Sequence, residues 1–241
     1  MGLWLGSLME ATFGGPPNIE RFEDGPVCFE EDVVMRHNEG GMSRQRRMEV
    51  FDLMRCKARM YCNVEINDRG VFPVIGMTLL LRTGARSFKN ETVVADMFHK
   101  ECAKVQGCQF MVAHSNNLTF CEQVKLMSLT DILISPHGAQ LTNMFLMEKN
   151  SSIMEFFPKG WLKLAGVGQY VYRSIASWAG MKHEGSWRGT HLEITVHIQR
   201  MIGDACLYTK VAELDIMKPI LQSGLEMFWL RSKQERWKKI Q

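Results

Sequence analysis

The sequence predicts an α/β fold built on a parallel sheet, and three features carry that expectation. From Gly76 onward, apolar runs of strand length alternate with segments of helical period, the pattern that successive βαβ units leave in a chain. One run, Ile132-Leu133-Ile134, stops at Ser135-Pro136-His137-Gly138 and leads into the helix-like Ala139-Gln140-Leu141-Thr142-Asn143. Another, Ile153-Met154, ends in Glu155. A buried strand that halts at a His-Gly turn before a helix puts an imidazole and unpaired backbone N–H groups at the carboxyl edge of a sheet, where open α/β folds bind ligands. That placement points to a nucleotide or sugar-phosphate site.

The elements follow in order. Residues 1 to about 70 alternate short apolar pieces with Gly, Pro and Asn and read as connecting and flanking structure. Within them, Ser43 to Met60 has apolar Val50, Leu53, Met54 and Ala58 at helical spacing, with Ser43 as the cap. Beyond Gly76 the succession is strand Met77 to Leu81, helix Glu91 to Lys104, strand Cys108 to Ala113, helix Thr119 to Leu129, strand Asp131 to Ser135, helix Ala139 to Leu146, strand Ser152 to Phe157 and helix Leu164 to Ala179. Four βα units in about a hundred residues make a Rossmann-like half domain. From Gly189 the pattern changes, with a loose helical period from Val211 to Trp229 interrupted by Pro219 and a charged end at Arg231 to Lys239.

Composition bounds the function. The chain has 241 residues, 46% of them hydrophobic and 23% charged, ordinary for a globular protein with a real core. Its formal charge is only +3, and the basic residues are scattered apart from Arg44-Gln45-Arg46-Arg47 and the final turn, so no nucleic-acid footprint is present. The opening Met1 to Leu8 is apolar but runs into Glu10 and Gly14-Gly15-Pro16-Pro17, and so provides neither a signal peptide nor a membrane span of about 20 residues. Seven cysteines without a Cys-x-x-Cys pair make metal binding improbable; Cys56/Cys62 and Cys102/Cys108 are either local disulfides or small buried residues. Acceptor triplets for N-glycosylation begin at Asn90, Asn117 and Asn150.

Several residues are placed to carry chemistry. Arg82 and Arg86 follow the first strand, four residues apart, and either grip a diphosphate or are solvated loop arginines; the adjacent βα turn favours the first reading. Asn90 closes that loop as a helix cap. Glu122 and Gln123 lie early in the helix before the key strand, and Gln123 is within reach of a hydroxyl or of the His-Gly loop. His137 ends a strand, and Gly138 behind it lets backbone and ligand approach closely. Asn143 either contacts ligand or shapes the loop, and Glu155 is placed to accept ribose hydroxyls or to pair with a cation. There is no Asp-x-Asp pair, P-loop, Gly-x-Gly-x-x-Gly or Gly-x-Ser-x-Gly, so positive charge must come from Arg, His and helix N-termini.

These residues resemble glycosyltransferase family 61, particularly its plant members, whose hallmark is His-Gly-Ala-x-Leu-Thr-Asn, here His137 to Asn143. The likeness extends to Arg82, Arg86 and Asn90, to Glu122-Gln123 and to Met154-Glu155-Phe156-Phe157-Pro158, and covers about Ile19 to Trp187. It implies an inverting, metal-independent transferase of GT-B architecture that needs no cofactor. Such an enzyme moves xylose, arabinose or N-acetylglucosamine from a UDP-sugar to a glycan, such as xylan, or to a glycoprotein in the Golgi or endoplasmic reticulum. The resemblance assigns donor binding to Arg82, Arg86, Gly138, Asn143, Glu155 and Gln123, with His137 as the candidate base. It also implies that residues 1–75 are a remnant of the N-terminal domain and linker, and that residues 76–188 are the nucleotide-sugar domain. The membrane anchor of full-length members is expected to be missing. Residues 189–241 form an atypical tail: a one-base shift of plausible codons from Gly189 restores a family-like Asp-Pro, Gly-Asp-Asn-Cys-Pro-Tyr ending, so a shifted reading frame is expected there. The alternative expectation is an inactive fragment that binds at most a UDP-sugar or a full-length relative.

Overall fold

The computed structural model describes residues 3–16, 41–65, 74–158 and 170–186, together with residues 18, 28–30, 161, 168, 200 and 201. Five parallel strands form one sheet: β1 (Ile75–Leu81), β2 (Cys108–His114), β3 (Ile132–Pro136), β4 (Ser152–Phe156) and β5 (Lys182–Ser186). Their order is β2-β1-β3-β4-β5. The chain steps from β1 outward to β2, then crosses back to β3, so the connections diverge between β1 and β3 and leave a crevice at their carboxyl ends. The helices are α1 (Leu3–Phe13), α2 (Arg44–Tyr61), α3 (Glu91–Cys102), α4 (Phe120–Ser128) and α5 (Val171–Trp178). This is a doubly wound sheet of the Rossmann-like class.

Strand alternation divides the core into two layers. Met77, Leu79, Leu81, Ile132, Ile134 and Met154 face Phe98 and Cys102 of α3. Leu80, Leu133 and Ile153 face the other way, under α1, α2, α4 and α5. With both faces covered, all seven residues of β1 and all five of β3 are buried. That is why these strands read as unbroken apolar runs rather than alternating ones.

Local chemistry fixes the element ends. Ser43 caps α2 by accepting from Arg46 N, and Asn90 caps α3 by accepting from Val93 N, both as the sequence predicts. Thr119 and Glu122 form a reciprocal capping box on α4. α1 ends where Gly14 N bonds Glu10 O with Gly14 at φ 82°, a left-handed stop that favours glycine. At Gly76 the reason is close approach instead: a Cβ there would lie 1.7 Å from Leu129 O. Gly76 N accordingly donates to the Asp131 carboxylate at 2.8 Å, joining β1 to the start of β3.

Three departures from the sequence reading stand out. Ala139–Leu146 is a 3-10 helix rather than an α-helix. It is held at its end by α2, where Arg55 Nε donates to Phe145 O at 3.1 Å and Arg59 Nη2 to Leu146 O at 3.2 Å; those two guanidiniums cap carbonyls that a longer helix would have satisfied itself. α1 and β5 form where the sequence predicts no element, and the last predicted helix begins in residues that are not described and is seen only over Val171–Trp178. Cys62 pairs with Cys121, not with Cys56, which is free and exposed, while Cys102–Cys108 forms as one of the sequence alternatives.

α1 and α2, from the segment expected to flank the sheet domain, pack on the sheet. Leu8, Ala11 and Ala58 share one core cluster with Leu80 and Leu133. Met201, within the expected atypical tail, is buried against the α3-side core. The segment from Val211 to Trp229 and the charged end lie outside the described residues. Among the described residues, no helix is long and apolar enough to cross a membrane.

Candidate functional site

A cleft of about 440 Å³ opens at the carboxyl ends of β1, β2 and β3, where the strand order diverges. The loop after β1 contributes Arg82, Thr83 and Arg86; the turn after β2 contributes Ser115 and Asn116. Gln123 comes from α4, and Gln140, Thr142 and Asn143 from the 3-10 helix. Trp4 of α1 supplies one wall, its ring set edge-on against Phe120 at 6.1 Å and Phe145 at 6.3 Å.

Among the described residues, the two arginines are the only charged side chains lining this cleft. Arg82 is half-buried, and burial followed by the nearby charge of Arg86 lowers its pKa from the ordinary arginine value. A guanidinium stays protonated regardless, so the cleft carries two adjacent positive charges with no lining carboxylate among the described residues. Arg82 Nη1 donates to His137 O at 3.1 Å, and Arg86 lies over the Trp161 ring at 5.5 Å. Those contacts aim both side chains while leaving donors for an anion.

Gly138 explains how Arg82 fits. A Cβ at Gly138 would lie 2.0 Å from Arg82 Nη1 and 2.5 Å from Gln140 Oε1. Its backbone is extended, so close approach rather than dihedral freedom requires glycine. Gln140 in turn donates to Pro136 O at 2.6 Å and Ser135 Oγ at 3.1 Å, tying the 3-10 helix to the end of β3.

The predicted polar residues divide into two groups. Gln123 and Asn143 do line the cleft, but Asn143 Nδ2 donates to Gln123 Oε1 at 2.7 Å, and Gln123 Nε2 donates to Leu118 O at 2.9 Å. Their amides therefore brace the cleft wall. Glu122 points away, committed to the capping box. Asn90 is likewise a cap.

His137 adjoins the cleft, its carbonyl held by the lining Arg82, and Glu155 is buried against its ring. Glu155 is fully buried on β4, and both its oxygens are taken, Oε1 by His137 Nδ1 and Oε2 by His183 Nε2 at 2.7 Å. The expected contact of Glu155 with ribose hydroxyls is thus replaced by a contact with two imidazoles. The His137 ring lies among Trp161 at 4.9 Å, Tyr172 at 5.2 Å and Phe157 at 5.7 Å. Burial, and then the Glu155 charge, raises the Tyr172 pKa, while Arg86 and Arg82 oppose that shift, so all four groups share one electrostatic neighbourhood.

Sequence reasoning missed His183, Tyr172, Trp161 and Trp4. His183 lies on an edge strand with no apolar signature, and the other three reach the site only through packing. Among the described residues, no group of three His, Cys, Asp or Glu side chains is arranged to hold a metal ion.

The fold and the cleft together define an α/β protein with a positively charged cleft at its sheet's switch point. Residues 27–154, just over half of the chain, match the glycosyltransferase 61 family, and the chain belongs to that family. It is a glycosyltransferase by class, with a sugar donor and an acceptor as its general substrates. No curated protein matches it.

Proposed function

We propose that this cleft is the donor site of an inverting, metal-independent glycosyltransferase of GT-B architecture, and that the donor is a UDP-sugar carrying xylose, arabinose or N-acetylglucosamine. The observation that carries the reading is the pair of arginines, Arg82 and Arg86, unopposed by any lining carboxylate among the described residues at the sheet's switch point. Together they grip the diphosphate and stabilise the charge that develops on it as it leaves, the role a divalent cation plays elsewhere. Gln123 and Asn143 hold the wall against which the donor rests, and Gly138 keeps the approach open.

Inversion takes a single displacement. The acceptor hydroxyl oxygen forms a bond to the anomeric carbon as the bond to the diphosphate oxygen breaks, the leaving electron pair goes to UDP, and the hydroxyl proton goes to a base. His137 is that base: with Nδ1 committed to Glu155, Nε2 is the nitrogen left to receive the proton. The acceptor is a glycan or glycoprotein, held largely by the N-terminal domain of the GT-B pair.

A lumenal site of action, in the Golgi or endoplasmic reticulum, accords with two disulfides and with exposed Asn117 and Asn150 in glycosylation triplets. The test is calorimetric titration of the chain with UDP. Arg82→Ala removes charge-assisted bonds worth about 2 to 3 kcal/mol and should weaken UDP binding roughly 30- to 150-fold. Unchanged affinity would remove the arginine pair from the donor site.

A further inference from the structure

Glu155 lies on β4 with no solvent exposure, and β5 places His183 beside it, Ile153 being in register with His183 and Glu155 with Gly185. An ionised carboxylate only accepts hydrogen bonds, so with Glu155 as a carboxylate both contacting ring nitrogens are donors: Nδ1 of His137 and Nε2 of His183. Glu155 stands between His183 and His137, so His183 reaches His137 only through that carboxylate.

We infer that His183 is a positioning residue: by donating to Glu155 Oε2 it keeps that buried carboxylate an acceptor toward His137, and so fixes His137 in the tautomer whose Nε2 lone pair is available to the acceptor hydroxyl. This rests on the reading of His137 as the base. The groups that face His137 are Arg82 and Arg86 from the loop after β1, Tyr172 from α5, Glu155 from β4 and, through Glu155, His183 from β5. Of these, only Glu155 engages Nδ1. Deleting His183 leaves Oε2 buried without a donor, an arrangement that favours a neutral carboxyl over an ionised one. A neutral carboxyl donates its proton in the bond to Nδ1 instead of accepting one. The His137 proton then resides on Nε2, and the lone pair is gone from the side that meets substrate.

The experiment uses the full chain with 15N-labelled histidine, at a pH well above the ordinary imidazole range, where nitrogen chemical shifts report the tautomer. His137 signals are identified by their loss in H137N. The native chain should show His137 with its proton on Nδ1. H183L should move the proton mainly to Nε2, whereas H183Q, whose amide can still donate to Glu155, should restore the Nδ1 form. Turnover should follow the tautomer, with kcat down 10- to 100-fold in H183L, recovered in part in H183Q, and UDP affinity within about twofold of native. His137 remaining protonated on Nδ1 in H183L overturns the inference. Should H183L not fold, H183N provides the same decision, because its shorter amide does not reach Oε2. The tautomer readout requires no turnover: a switch without UDP binding sinks the donor-site reading alone, and UDP binding without a switch sinks this one alone.

Discussion

At the scale of single residues, the site depends on groups that act through one another. Arg82 is aimed by a backbone carbonyl of His137, and the space it occupies exists because residue 138 has no side chain. Replacing Gly138 with alanine forces Arg82 or Gln140 to move, since the new carbon meets their side-chain ends rather than rigid backbone. Stability should therefore change by less than about 1.5 kcal/mol while UDP affinity falls about tenfold or more. Calorimetry and thermal melting on the same sample check the two halves of that statement, and a large fall in melting temperature with full affinity would contradict it. The hallmark segment His137 to Asn143 was legible in the sequence because a strand ending in His-Gly has a recognisable geometry. The partnership of Glu155 with His183 was not, because the two residues lie 28 positions apart and meet only through strand register.

At the scale of elements, the sequence spoke clearly wherever a signal was local. Apolar runs marked β1, β3 and β4, and Ser43 and Asn90 marked helix starts through side chains three residues from the N–H groups they serve. β5 was silent because Lys-His-Glu-Gly-Ser carries no apolar run, and an outer strand can be polar where the central ones cannot. α1 was silent for the opposite reason, being apolar on nearly every side, so no helical stripe stood out. The capping box of α4 adds a pH dependence. Hydrogen bonds from the Thr119 backbone and hydroxyl hold the Glu122 carboxyl below its ordinary value of 4.5. The depressed carboxyl contributes stability that is present above the ordinary glutamate range and is lost as pH falls through the lowered value. E122Q should therefore flatten the acid side of the stability profile, and chemical denaturation between neutral and acidic pH should show the two curves converging as pH falls. Parallel curves would refute the assignment.

At the scale of the whole molecule, two helices on one face of the sheet, far apart in sequence, are bound by a covalent link that no local pattern announces. Cys62 at the end of α2 joins Cys121 in the first turn of α4 across 59 residues, while Cys102–Cys108 closes only six. Loop-closure entropy makes the first worth about 4 kcal/mol and the second about 2 kcal/mol. Urea titration should accordingly show C62S/C121S losing about twice as much stability as C102S/C108S, and equal losses would count against that ordering.

The long bridge also sets what a protease can accomplish. A cut at any bond between Cys62 and Cys121 would sever the backbone, yet the half bearing α1 and α2 would stay fastened to the half bearing the His-Gly loop. A nicked molecule would run as one species on a non-reducing gel and as two after reduction, with the cleft wall still anchored to its neighbour by sulfur.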